Sequence, residues 1–119
     1  REMFPIIRQS KLGFIAFSPL DSGNLSPKQQ IKPTSPLAEL VRVIDQTAQT
    51  LHVTRAELCV AWVLTHTEVT TVLSGAESSE HVDQNLAGTQ LSLPQEVIKT
   101  LNSASKAYRK KTKQKLVNR

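Results

Sequence analysis

Apolar residues recur along this chain with two periods, and each period predicts its own kind of element. Leu37, Leu40, Val41, Ile44, Ala48 and Leu51 share one face at helical spacing. Ser35 followed by Pro36 supplies the start: a hydroxyl to cap the first turn, then a proline at the first helical position, where its missing N–H costs nothing. Thr54 and Glu57 form a T-x-x-E capping box that launches a second helix, to about His66. Its run Leu58-Cys59-Val60-Ala61-Trp62-Val63-Leu64 leaves so little polar face that the helix is expected to be largely buried. Two short runs have another character. Phe14-Ile15-Ala16-Phe17 lies between Gly13 and Ser18-Pro19, Thr70-Thr71-Val72-Leu73 ends at Ser74-Gly75, and both read as short buried strands. Residues 21–35 are rich in turn formers, carry no helical period and read as a surface loop. Ser78 caps a helix to about Leu86 with Val82 and Leu86 on one side, and a last helix follows Pro94 with Val97, Ile98, Leu101 and Tyr108 inward. With a short helix before Gly13, the order is helix, strand, loop, helix, helix, strand, helix, helix. The class is α/β, and two strands separated by so much helix pair only in parallel, through a crossover.

Length and charge change this picture in part. The 119 residues suffice for one domain, and no apolar run approaches the ~20 residues of a membrane helix, so a soluble protein is expected. A net charge of +5 raises nucleic acid as a partner, but the charge is unevenly spread. Residues 1–105 hold eight Lys or Arg against all ten acidic residues. From Lys106 onward, Lys106, Arg109, Lys110, Lys111, Lys113, Lys115 and Arg119 stand without an acid. A mildly acidic body over 1–105 is therefore followed by a basic tail over 106–119, read as a solvated extension, with an anionic partner as the alternative. The single cysteine, Cys59, excludes an intramolecular disulfide, and its apolar neighbours predict a buried structural thiol in a reducing, cytoplasmic compartment. Arg1–Ser10 lacks the pattern of a signal peptide, and a first residue other than Met points to a processed product or a piece of something longer.

Candidate chemistry is confined to the strand ends. His52, His66 and His81 fall in three different elements with no Cys pair, which speaks against a metal site. In parallel sheets ligands collect at the carboxyl ends of strands, and here those ends read Ser18-Pro19-Leu20 and Ser74-Gly75-Ala76. The second feeds a helix N-terminus at Ser78–Glu80, whose free N–H groups suit a phosphate; an ordinary strand-to-helix turn explains the same residues.

Gly13-Phe14-Ile15-Ala16-Phe17-Ser18-Pro19-Leu20 with Gly23-Asn24-Leu25 resembles the seventh strand of aldo-keto reductases and the loop after it. The resemblance continues through Leu58–Leu64, Val72-Leu73-Ser74-Gly75-Ala76 and Asp83-Gln84-Asn85-Leu86, and Glu2 and Pro5 match the helix before that strand. It covers about residues 1–105. It implies the C-terminal part of a (β/α)8 TIM barrel that reduces aldehydes and ketones with NADP or NAD. Phe17 matches the aromatic, usually Tyr, that stacks on the nicotinamide. Ser18, Leu20 and Gly23 match the segment over the pyrophosphate; Gly75, Ala76 and Glu77 match the turn at the adenosine ribose and its 2′ substituent; Gln84 and Asn85 match the residues that hydrogen-bond the adenine.

Three departures qualify the implication. His81 stands where many relatives have Arg, and Glu77 where a small or polar residue is usual, so a 2′-phosphate would meet a carboxylate and NADP preference is in doubt. The 21–35 loop is short for a cofactor clasp. The family's catalytic Asp, Tyr, Lys and His come from the first half of the barrel, and none is in this chain, so catalytic residues are expected to be absent and the chain inactive alone. An incomplete barrel exposes strand edges, which predicts self-association or pairing with an N-terminal half. A non-catalytic nucleotide-binding or interaction protein is the alternative. A helix-turn-helix built from Leu37–Leu51 and Thr54–His66 is disfavoured, because the second helix offers apolar residues where base contacts need polar ones.

Overall fold

A computed structural model describes residues 3–26 and 29–117, with side chains as far as Gln114. Arg1, Glu2, Pro27, Lys28, Arg119 and the side chain of Lys115, which entered the sequence argument, lie outside this range. The order is α1 (Phe4–Gln9), β1 (Phe14–Phe17), a 3-10 turn (Asp21–Gly23), α2 (Pro36–Leu51), α3 (Arg55–Leu64), β2 (Val69–Leu73), α4 (Ser79–Gln90) and α5 (Gln95–Val117).

The helix starts follow from local chemistry. Ser35 Oγ accepts from the Ala38 amide at 3.1 Å with Pro36 at the first helical position, and the Thr54–Glu57 capping box is complete on both sides. Caps of this kind contribute about 1 kcal/mol each. His52 closes α2 in the left-handed conformation, φ 55°, and turns the chain into α3.

The core is helical. Leu40, Val41, Ile44 and Ala48 of α2 bury against Leu58, Cys59 and Ala61 of α3 and Leu101 of α5. Trp62 Nε1 donates to Asn102 Oδ1 at 3.2 Å and ties α3 to α5. α4 lies close on α3 because Gly88 has no side chain: a Cβ there would stand 2.8 Å from the Glu57 carbonyl oxygen and 2.9 Å from Val60 Cβ.

β1 and β2 pair in parallel, as the crossover argument requires, with Ile15 opposite Thr71, Ala16 opposite Val72 and Phe17 opposite Leu73. The register slips at Thr70, whose Oγ1 accepts from the Phe14 amide at 3.1 Å. Arg8 of α1 pairs with the buried Glu68 just before β2.

Several expectations are corrected. The strands are not buried: Ile15, Phe17 and Leu73 are 56%, 78% and 59% exposed, because only one face of a two-stranded sheet has helices to cover it. α3 stops at Leu64, before His66, and α4 runs past Leu86 to Gln90, with Val82 and Leu86 exposed. The 21–35 stretch is not all surface, since Leu25 inserts into the core. The basic extension from Lys106 takes a form the sequence reading did not specify: as far as Val117 it prolongs α5 without a break. Nothing in that stretch interrupts a helix, Tyr108 packs against the core, Lys111 pairs with Glu39, and cations near a helix C-terminus interact favourably with its dipole.

Candidate functional site

The carboxyl ends of both strands lie side by side, and the Ser18 amide donates to the Leu73 carbonyl at 3.0 Å. The turn that leaves β1 is strained. Ser18, Asp21 and Ser22 have φ of 53°, 50° and 53°, and Gly23 has φ 90°. Such conformations in non-glycine residues cost on the order of 1 kcal/mol each and persist only where the surroundings hold them. Here the Leu25 amide donates to the Leu20 carbonyl at 3.1 Å, the Ser26 amide to the Gly23 carbonyl at 2.9 Å, and Leu25 is anchored in the core. Arg55, the first residue of α3, completes the hold. Its Nε and one terminal nitrogen donate to both oxygens of Asp45 on α2 at 2.7 and 2.8 Å, and its other terminal nitrogen donates to the Leu25 carbonyl at 2.8 Å.

The turn after β2 is built from polar side chains. Ser74 Oγ donates to Asn85 Oδ1 at 2.9 Å, and Asn85 Nδ2 donates to the Gly75 carbonyl at 3.3 Å. Ser78 Oγ accepts from the His81 amide at 3.3 Å and caps α4. The Glu77 amide donates to His81 Nδ1 at 3.3 Å. Gln84 Nε2 donates to Glu80 Oε1 at 3.2 Å.

Between the two turns lies a cleft of about 510 Å³, with Leu20, Ser26 and the Thr54-Arg55-Ala56 start of α3 on one side and Gly75, Glu77, Ser78, Glu80, His81, Gln84 and Asn85 on the other. Six residues singled out from the sequence meet here: Leu20, Gly75, Glu77, His81, Gln84 and Asn85. Four do not line it. Phe17 projects at the strand end, Ser18 and Gly23 shape the turn behind the wall, and Ala76 faces an adjoining groove with Thr71, Val82 and Leu86. The Ser78–Glu80 helix start, read from the sequence as suited to a phosphate, also lines the cleft, whereas sequence reasoning missed Ser26, Thr54, Arg55 and Ala56 as lining groups. The available signal for Arg55 was a lone cation at the head of an otherwise apolar helix.

The electrostatics are lopsided. Arg55 is neutralised by Asp45, which among the described residues leaves the carboxylates of Glu77 and Glu80 as the uncompensated charges on the cleft. The free N–H groups of the first turn of α4 are its anion-favouring feature. Elsewhere, burial pushes the Cys59 thiol up to about 12, far from reactive. Among the described residues, no three of His, Cys, Asp and Glu gather as metal ligands, and no helix is long and apolar enough to cross a membrane. The burial of Leu58, Cys59, Val60 and Ala61 removes the face a recognition helix would need.

The profile of the aldo/keto reductase family matches residues 1–106. The chain belongs to the aldo/keto reductase family. A search of curated protein sequences gave no significant match. Among solved structures, a thermostable aldo-keto reductase in complex with the inhibitor epalrestat superposes with a TM-score of 0.68 at 24% identity, over 86% of this chain and 33% of that one. An aldo-keto reductase from Bacillus halodurans superposes in its apo form with a TM-score of 0.69 at 22% identity, over 87% of this chain and 38% of that one. Its holo form gives 0.66 at 21% identity, over 87% and 37%. This aldo/keto reductase chain thus spans between 33% and 38% of the length of these relatives. Its two parallel strands and five helices form the C-terminal portion of a (β/α)8 barrel.

Proposed function

We propose that this chain is the cofactor-binding portion of an NAD(P)H-dependent reductase of aldehydes and ketones, and that the cleft between the β1 and β2 turns takes the adenosine end of the dinucleotide. The observation that carries this reading is the convergence of Leu20, Gly75, Glu77, His81, Gln84 and Asn85 on one cleft at the carboxyl ends of parallel strands. The donor set fits a nucleoside with a free ribose. Glu77 and Glu80 offer carboxylate acceptors to a 2′-hydroxyl, Gln84 and Asn85 offer amides to a base, and the start of α4 offers N–H groups to a phosphate. A 2′-phosphate fits poorly. It would meet two carboxylates and find Arg55 already spent on Asp45 and Leu25, while His81 Nδ1 already accepts from the Glu77 amide. NAD is therefore the preferred cofactor.

Phe17, exposed beyond the cleft, offers a π-face for the nicotinamide, with Ser18 and Gly23 in the backbone between the two ends. The chemistry the bound cofactor supplies is hydride transfer to a carbonyl carbon. The proton donor for the carbonyl oxygen lies outside these residues, so the chain alone binds nucleotide without turnover, and pairing with an N-terminal half supplies the catalysis. The exposed Ile15, Phe17 and Leu73 offer the apolar surface for that pairing or for self-association. A reducing, cytoplasmic setting agrees with the free, buried Cys59.

Titration of the chain with NADH and NADPH, followed by reduced-nicotinamide fluorescence, tests the reading. NADH is expected to bind at least tenfold more tightly, and Glu77→Gln to narrow the gap. Tighter NADPH binding overturns the preference, and binding of neither overturns the site.

A further inference from the structure

Two features of the β1 turn need a joint explanation. Three non-glycine residues, Ser18, Asp21 and Ser22, sit in the left-handed region within five positions, and the segment forms a cleft wall at Leu20 and Ser26. A strained segment at a site either moves between two states or is held in one. The contacts decide between these. Leu25 is 7% exposed in the core, and Arg55 reaches it with a side chain only 13% exposed. The guanidinium fork spends two donors on Asp45, which fixes its plane against α2, and a third on the Leu25 carbonyl. Moving the wall outward would strip a charged, nearly buried donor of an acceptor and withdraw Leu25 from the core together. On the opposite side of the cleft, Gly88 lets α4 lie close against α3.

We propose that Arg55 is a positioning residue that locks the Leu20–Ser26 turn as a rigid wall, so that nucleotide enters a preformed cleft with no closing step. The inference rests on the nucleotide reading above. Its consequence is kinetic: binding follows a single bimolecular phase, and affinity comes from preorganisation rather than from a moving strap. Lysine cannot replace the fork, because one ammonium has no planar geometry to span Asp45 and the Leu25 carbonyl.

Amide hydrogen exchange and stopped-flow binding of NADH to the wild-type chain, Arg55→Met and Arg55→Lys test the lock. In the wild type, the observed rate is expected to rise linearly with NADH concentration. In Arg55→Met, the amides of Gly23, Leu25 and Ser26 exchange at least tenfold faster while those of α2 and α5 are unchanged, the observed rate saturates, and affinity falls about tenfold. Arg55→Lys falls between the two. A saturating rate in the wild type, or unchanged exchange and kinetics in Arg55→Met, overturns the proposal. General acceleration across α2 and α5 in Arg55→Met assigns Arg55 a role in global stability and overturns it as well. If the wild type binds no NADH, the nucleotide reading fails, and the turn amides still decide whether Arg55 holds the wall.

Discussion

The helices α2, α3 and α5 and the strand pair β1–β2 answer the same problem in different ways. In the helical region each apolar face finds its partner inside the chain: Ile44, Leu58 and Leu101 are almost wholly buried, and Trp62 and Asn102 join two elements through a side-chain hydrogen bond. In the strand pair the backbone finds a partner and the side chains of one face do not, so Ile15, Phe17 and Leu73 remain open. The difference teaches that burial is local for an amphipathic helix and remote for a barrel strand, whose inner face is covered by strands distant in sequence.

The sharpest way to break the comparison is to remove volume from the helical side. Leu58→Ala should cost about 2–5 kcal/mol in urea denaturation, since the side chain is fully buried in the helical core. Gly88→Ala should cost about 1–3 kcal/mol, because the new methyl meets backbone rather than a movable side chain. Cys59 supplies a pH test of the same core. Its folded thiol titrates near 12 against a reference of 9.0, so the unfolded chain loses its proton first. Stability should be fully present below pH 9.0 and should fall as pH rises toward 12, at up to about 1.4 kcal/mol per pH unit from this group. Thiol alkylation should be slow until denaturant is added. Thr54→Ala should cost about 1 kcal/mol by loss of the capping box. On the strand side, Ile15→Thr should change stability by less than about 0.5 kcal/mol while reducing association seen by light scattering. A large loss of stability there would mean that the strands carry more of the fold than their exposure implies.

What could be read from the sequence follows the same division. Ser35-Pro36 and Thr54-x-x-Glu57 announce their helices because caps are short-range chemistry, and both strands were legible from punctuation alone. Strand burial was not, since a β-branched run looks alike whether or not its neighbours are present. The helical course of residues 106–117 was hidden by charge: a basic run reads as solvated whether it is coiled or helical, and Tyr108 was the clue that an inward face continued. In the cleft, the two strand ends were legible as successive small and polar residues. Arg55 was not, because its role needs Asp45, Leu25 and its own helix start together, three segments whose meeting no spacing encodes.

The long last helix has an electrical consequence. Lys99, Lys106, Arg109, Lys110 and Lys113 recur at helical spacing on the solvent side of α5, away from Leu101, Ala104 and Tyr108. Over the roughly 20 Å from the first of these to the last, a cation projects about every turn. The molecule is in effect a macroscopic dipole with its positive pole along one rod. It should turn that rod toward a cation-exchange matrix and elute at a higher salt concentration than its net charge alone would set.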